Sequence, residues 1–277
     1  MTNVVASIAA LDGYHLQYRV WPAGQRFFRG DLVLLNGVMS HSGWFGAIAS
    51  PLAQSGFKVI GADRRGSGSN LADRGDAPSA RALVDDVLRI VESERTQGRP
   101  LFLVGWCWGA VLALNVAVQA KDLSGLCLLA PGLFPTERVQ LRMSAQQQAA
   151  ANRSESDRCL ENPISEEMFT EGPCLQSFIL RDDLRLRSFT PRFHGIMLRM
   201  GLNALRCLPQ LMLPTLLVLA DRDEATDNER TLRTFQKIGK DRLTVAWCRA
   251  SHGIQFDAPD ELLTHLMSWI EAAERRS

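Results

Sequence analysis

Six short apolar runs, at residues 32–35, 57–60, 101–104, 126–129, 216–219 and 243–247, punctuate the chain. Each is bounded by turn residues and separated from the next by a segment long enough to cross back over a sheet. Apolar runs this short, with no polar alternation, fit strands buried on both faces, as in a parallel sheet covered by helices. The intervening segments supply the helices: residues 80–94, 108–120, 229–238 and 259–273 carry apolar side chains at helical spacing. Strand–helix alternation predicts an α/β fold with a mostly parallel, doubly wound sheet. Ahead of it, residues 4–10 and 15–20 alternate apolar with polar about Asp12-Gly13, which predicts a hairpin forming an antiparallel edge.

The alternation breaks once. About 80 residues between Pro131 and Pro214 separate two successive strands, far more than an ordinary connection. The expected organisation is a core domain of residues 1–132 and 212–277 and a helical cap, or lid, of residues 133–211. The first part of the cap, residues 140–158, is rich in Gln, Ala and Ser; the second, 193–208, sets Phe193, Ile196, Met197, Met200 and Ala204 at helical spacing. That stripe either packs on the core or presents Met197 and Met200 to a flexible apolar ligand, to which Met adapts readily.

Charge and cysteine content narrow the partners. The 31 basic and 30 acidic residues are interspersed, for a net charge of +1, so no electrostatic footprint for nucleic acid or an anionic membrane is present. No stretch approaches the roughly 18 apolar residues that span a bilayer. Residues 1–11 lack a basic segment leading into an apolar one, and the expectation is a soluble, cytoplasmic protein without a membrane span. The six cysteines, at 107, 127, 159, 174, 207 and 248, form no CxxC pair and have no histidine at metal-ligand spacing. Neither a metal nor a disulfide framework is expected, and no cofactor is called for.

One cysteine stands apart. The run at 101–104 leads into Gly105-Trp106-Cys107-Trp108-Gly109 and then a helix, which is the nucleophile-elbow pattern G-x-S-x-G with cysteine in place of serine. A sharp strand-to-helix turn leaves no room for side chains on either flank of the nucleophile, hence the two glycines. The helix N-terminus behind Cys107 favours a thiolate. In the chain order this architecture requires, an acid and a histidine follow: Ala220-Asp221-Arg222-Asp223-Glu224 after the strand at 216–219, and Ser251-His252-Gly253 after the strand at 243–247. His252 is the candidate base. Asp223 is favoured over Asp221 as its partner, and Asp227-Asn228 is expected to cap the next helix. The backbone N–H of Trp108 and that of Val38, after Asn36-Gly37, are the candidate oxyanion donors. His41 lies close by, either touching substrate or serving structure. Trp106 and Trp108 either exclude water beside the nucleophile or simply pack.

Together, LNGVMSHSGWF (35–45), GADRRGSGSN (61–70), GWCWGA (105–110), LVLADRDEATDN (217–228) and ASHGIQFDAPD (250–260) resemble the α/β-hydrolase superfamily, in particular its monoacylglycerol lipase or lysophospholipase-like branch. The resemblance runs along nearly the whole chain and implies residues 63–68 as the structural D-x-R-G-x-G turn. Asn36-Gly37 replaces the usual His-Gly of the oxyanion loop, keeping the backbone donor. Cys107 is the greater departure; cysteine elbows occur in relatives such as dienelactone hydrolases and polyhydroxyalkanoate synthases, the latter acting on coenzyme A thioesters.

The chemistry that follows is an acyl-cysteine intermediate. A thiolate attacks a thioester with nearly balanced energetics, whereas making a thioester from an ester or amide runs uphill, so thioester donors are favoured. The expected substrate is a small acyl compound, free or carried on coenzyme A or a carrier protein, and the expected enzyme an acyltransferase or thioesterase. A lipase-like hydrolase of carboxylic esters is the alternative. A binding protein that has lost turnover would keep the same fold, but retention of both His252 and Asp223 argues against it.

Overall fold

The structure, a computed structural model, describes residues 2–24, 28–151 and 159–275. It opens with the hairpin of β1 (Val4–Ala9) and β2 (His15–Trp21). Gly13 takes the positive φ of 84° that the turn requires, and Asp12 Oδ1 accepts from the Tyr14 N–H at 3.2 Å. Strand β3 (Gly30–Leu35) follows, then α1 (Gly46–Gln54), β4 (Phe57–Ala62), α2 (Ala80–Glu94), β5 (Leu101–Trp106), α3 (Trp108–Ala117) and β6 (Gly125–Leu129). The long insertion holds α4 (Glu137–Ala151), β7 (Leu160–Glu161), α5 (Glu166–Phe169), α6 (Pro173–Arg181), β8 (Ser188–Phe189) and α7 (Pro191–Cys207). The chain then returns through β9 (Thr215–Ala220), α8 (Asn228–Phe235), β10 (Leu243–Cys248), α9 (Ile254–Asp257) and α10 (Pro259–Glu274).

Eight strands make one sheet in the order β1-β2-β4-β3-β5-β6-β9-β10. Only the hairpin strands run antiparallel to their neighbours; all pairs from β4 to β10 are parallel. This is the doubly wound arrangement expected from the sequence. β3, β5, β6 and β9 are buried at every position, as their unbroken apolar runs require. β10 departs from that expectation. As the outer strand it leaves Val245 and Trp247 partly exposed, because only one side of it has a neighbour.

Three helices differ from the sequence expectation, α8 among them, which closes at Phe235 with a 3₁₀ turn over Gln236–Ile238. α1 has no counterpart among the segments picked out in the sequence, and Pro51 sits within it. α3 stops at Ala117, short of residue 120. Asp227 caps α8 as expected, its side chain accepting from the Arg230 N–H at 2.9 Å.

In the insertion, residues 152–158 of the polar part lie outside the described residues. α7 is capped by Thr190, whose hydroxyl accepts from the Phe193 N–H at 3.1 Å, and starts with Pro191 where a missing N–H costs nothing. Its stripe of Phe193, Ile196, Met200 and Ala204 is buried, Met197 less so. Burial of each large apolar side chain contributes about 1.5–3 kcal/mol. Asn115 on α3 fixes the contact: its Nδ2 donates to the Met200 carbonyl at 3.0 Å, and its Oδ1 accepts from Asn203 at 2.8 Å. Among the described residues, no helix is long and apolar enough to cross a membrane.

Candidate active site

Cys107 stands between β5 and α3 with φ 56° and ψ −123°. A non-glycine residue in such a conformation stores about 1–3 kcal/mol of strain, so the surroundings must hold it there. Three backbone hydrogen bonds do so: the Cys107 N–H donates to the Leu129 carbonyl at 2.9 Å, and its carbonyl accepts from Ala110 at 3.1 Å and Gly132 at 2.9 Å. A Cβ on Gly105 would collide with the backbone of Gly109 and Ala110, and one on Gly109 with the Leu35 carbonyl, which is the steric reason for both elbow glycines. Cys107 is 7% exposed.

His252 and Asp223 meet at the C-terminal ends of β10 and β9. His252 Nδ1 lies 2.9 Å from Asp223 Oδ2, and both side chains are inaccessible to solvent. The carboxylate is itself held by the Ala225 and Thr226 N–H groups at 2.8 and 2.9 Å and by the Thr226 hydroxyl at 2.7 Å. Burial works against the charged imidazole, but the Asp223 carboxylate and then the Cys107 sulfur outweigh it, so the His252 pKa stands well above its ordinary 6.5. Burial likewise opposes the Asp223 carboxylate, and His252 more than compensates, lowering that pKa below 3.8. With Nδ1 given to Asp223, Nε2 is left without a hydrogen-bond partner among the described residues. Asp221, the competing acid, lies at the surface: it accepts from the Ala250 N–H at 3.0 Å and pairs with Arg222.

The histidine loop is held from two sides. Trp106, fully buried, donates its indole N–H to the His252 carbonyl at 2.9 Å, and its ring lies 5.8 Å from the imidazole within a cluster of Trp44, Phe45, Phe169 and Phe256. From the insertion, the carbonyls of Met168 and Phe169 accept from the N–H groups of His252 at 3.1 Å and Gly253 at 2.8 Å. Asp257 adds a bond to the Ser251 N–H at 2.9 Å and another from the Thr170 hydroxyl.

On the other flank, the loop after β3 runs beside Cys107; a Cβ on Gly37 would lie 3.2 Å from Cys107 Cβ. Asn36 Nδ2 shapes this loop by donating to the carbonyls of Gly37 at 3.0 Å and Ser40 at 2.6 Å. Val38 follows, its carbonyl accepting from Arg64 at 2.8 Å. Trp108 is the first residue of α3, so its N–H has no intrahelical acceptor.

His41 faces the insertion. Its Nδ1 accepts from the Gly43 N–H at 3.1 Å, which assigns the proton to Nε2, and that atom lies 2.7 Å from Asp182 Oδ2. Trp44 Nε1 donates to the same oxygen at 2.5 Å. Burial raises the pKa of Asp182, but these two partners more than reverse it. The Leu186 N–H also donates to the Met39 carbonyl at 2.8 Å, so the insertion is bonded to both site loops. Met200 is buried two turns of α3 beyond the elbow, where its carbonyl meets Asn115. Asp182, Arg64 and the Met168–Phe169 backbone escaped the sequence reading. The first two sit in runs of like residues, Asp182-Asp183 and Arg64-Arg65, and backbone acceptors carry no side-chain signal.

A mostly parallel sheet carrying a residue at an elbow after a central strand, with a His–Asp pair after the last two strands of the sheet, defines an α/β-hydrolase. The chain belongs to the Hydrolase_4 family, described as serine aminopeptidase, S33, which it matches over residues 28–259. Cysteine thus stands at 107 in a family whose description names serine. The chain is similar to an uncharacterized abhydrolase domain-containing protein of Dictyostelium discoideum, 23% identical over 98% of this chain and 29% of that one. It is also similar to phospholipase YtpA of Bacillus subtilis, 22% identical over 75% of this chain and 81% of that one. The chain therefore spans under a third of the first relative's length. Its fold matches a soluble variant of monoglyceride lipase from Saccharomyces cerevisiae, in complex with a substrate analog, with a TM-score of 0.83 at 17% identity, covering 99% of this chain and 94% of that one.

Proposed function

We propose that this chain is an acyl-transfer enzyme working through an acyl-cysteine intermediate, with Cys107 as nucleophile, His252 as base and Asp223 as the residue that orients and charges the histidine. One observation carries the reading: a cysteine occupies the strained elbow while the buried His252 gives Nδ1 to Asp223 and keeps Nε2 free. His252 takes the thiol proton, sulfur adds to the acyl carbonyl, and the N–H groups of Trp108 and Val38 receive the oxyanion. Collapse expels the leaving group, which takes the proton from His252; an acceptor then attacks the acyl-cysteine with His252 again as base.

Sulfur chemistry favours a thioester donor, because exchange of one thioester for another is nearly balanced. The acceptor is water or an amine, alcohol or thiol, which makes the enzyme a thioesterase or an acyltransferase. The burial of His252, Trp106 and Cys107 beside aromatic side chains supports transfer over hydrolysis. A second reading, lipase-like ester hydrolysis, is favoured by the family and by the phospholipase relative.

The test uses chromogenic thioesters and the matching oxyesters, with intact mass to detect an acyl adduct. Turnover or an adduct with wild type that disappears in Cys107→Ala, with kcat/KM higher for thioesters, is the expected result. Higher kcat/KM for oxyesters selects the second reading. Neither turnover nor adduct across several chain lengths refutes both.

A further inference from the structure

Two arginines stand side by side after β4, and only one is paired. Arg65 meets Asp86 at 2.5 Å and Asp12 at 2.7 Å. Arg64 is 5% exposed, yet among the described residues no carboxylate lies within ion-pair distance of it. Its donors go to the carbonyls of Val38 at 2.8 Å and Arg65 at 3.2 Å, and its guanidinium lies 4.4 Å from the ring centre of Phe193 and 5.8 Å from that of Trp108. A buried cation without an ion-pair partner costs several kcal/mol, so its retention calls for a use. Its two neighbours identify one: Val38 and Trp108 are the residues whose backbone N–H groups receive the oxyanion in the mechanism above.

We propose that Arg64, together with Asn36, is a positioning residue for the oxyanion loop: it fixes the Val38 peptide by its carbonyl and lends positive charge to the oxyanion. Asn36 folds the same loop through Gly37 and Ser40. Asn36 Oδ1 and Arg64 Nε, both buried and without a partner among the described residues, belong to residues that share the wall of a cavity of about 10 Å³. The inference rests on the acyl-cysteine reading.

The experiment measures kcat and KM for S-(4-nitrophenyl) thiohexanoate, and inhibition by hexanal, in the full chain and in Arg64→Lys, Arg64→Met, Asn36→Ala and Cys107→Ala. Hexanal adds the Cys107 thiol across its carbonyl: a C–S bond forms and the proton passes through His252 to the oxygen, so the hemithioacetal oxygen occupies the oxyanion position. Arg64→Met is expected to lose about 10- to 100-fold in kcat, with KM within about twofold and hexanal affinity falling by the same factor as kcat. Arg64→Lys, which keeps the charge and one donor, recovers part of the loss, and Asn36→Ala falls between. A KM rise at constant kcat, equal loss in the Lys and Met variants, or no loss overturns the proposal. Should Arg64→Met fail to fold, Arg64→Lys and Asn36→Ala decide by the same split. Wild-type turnover in Cys107→Ala sinks the acyl-cysteine reading itself, whatever the Arg64 variants do.

Discussion

Trp106→Phe isolates the hold of the elbow on the histidine loop. The substitution keeps an aromatic ring in a fully buried site but removes the donor that meets the His252 carbonyl at 2.9 Å. Leaving that carbonyl unsatisfied costs about 1–3 kcal/mol. The smaller ring leaves a void of about 35 Å³, which at about 24 cal/mol per Å³ adds about 1 kcal/mol. The sum is about 2–4 kcal/mol. An unfolding entropy of about 2.1 cal/mol/K per residue, over 277 residues, converts this to a fall in Tm of about 3–7 °C. Because the freed carbonyl belongs to His252, loss of register should lower kcat by about tenfold as well. Scanning calorimetry and thioester turnover on the same preparation read both quantities. A Tm within about 1 °C of wild type together with an unchanged kcat would refute the argument that this indole holds the loop.

Other perturbations act on separate contacts. Stability from the raised His252 is complete below pH 6.5 and lost as pH climbs through its folded value, while that from the depressed Asp223 is present above pH 3.8 and lost below it. The Tm difference between wild type and Asp223→Asn is therefore expected to peak between about pH 4 and 6.5 and shrink towards alkaline pH; a difference flat with pH contradicts the buried ion pair. Asn115→Ala removes the bonds to Met200 and Asn203, and amide exchange across α7 should speed up by about tenfold or more while β5 and β6 stay protected. Asp182→Asn weakens the tie to His41 and Trp44, so alkylation of Cys107 by iodoacetamide should accelerate several-fold while the buried Cys127 and Cys248, whose thiol pKa values burial pushes up, stay inert. Equal rates in wild type and variant would show that this tie does not control access.

Side-chain patterning made the sheet legible. Runs such as residues 101–104 and 216–219 have no polar position because both faces are covered, and that condition singles out parallel central strands. The elbow was legible because its turn tolerates so few residue types that Gly105, Cys107 and Gly109 announce it, and strand ends then led to Asp223 and His252. The insertion was legible only as a long break in the alternation and in the stripe of α7. α5 has four residues, β7 and β8 two each, and α4 is polar with little buried surface, so no periodicity accumulates. The contacts binding it to the site join residues such as Met168 to His252 through backbone atoms, which every residue possesses. Trp106 could be placed beside the nucleophile, but its donor's target, a carbonyl 146 residues away, belongs to tertiary structure alone.

The backbone bonds from Met168 and Phe169 to the histidine loop, and from Leu186 to the Met39 carbonyl, bear on how such a molecule can be rebuilt. An insertion that merely roofed the pocket could be exchanged for a relative's to change acyl preference and leave reactivity alone. Here the insertion is bonded to both site loops. A foreign insertion is expected to disturb both site loops unless the graft reproduces those three acceptor and donor positions, so the insertion and the loops beneath it are one inherited unit in this chain rather than two.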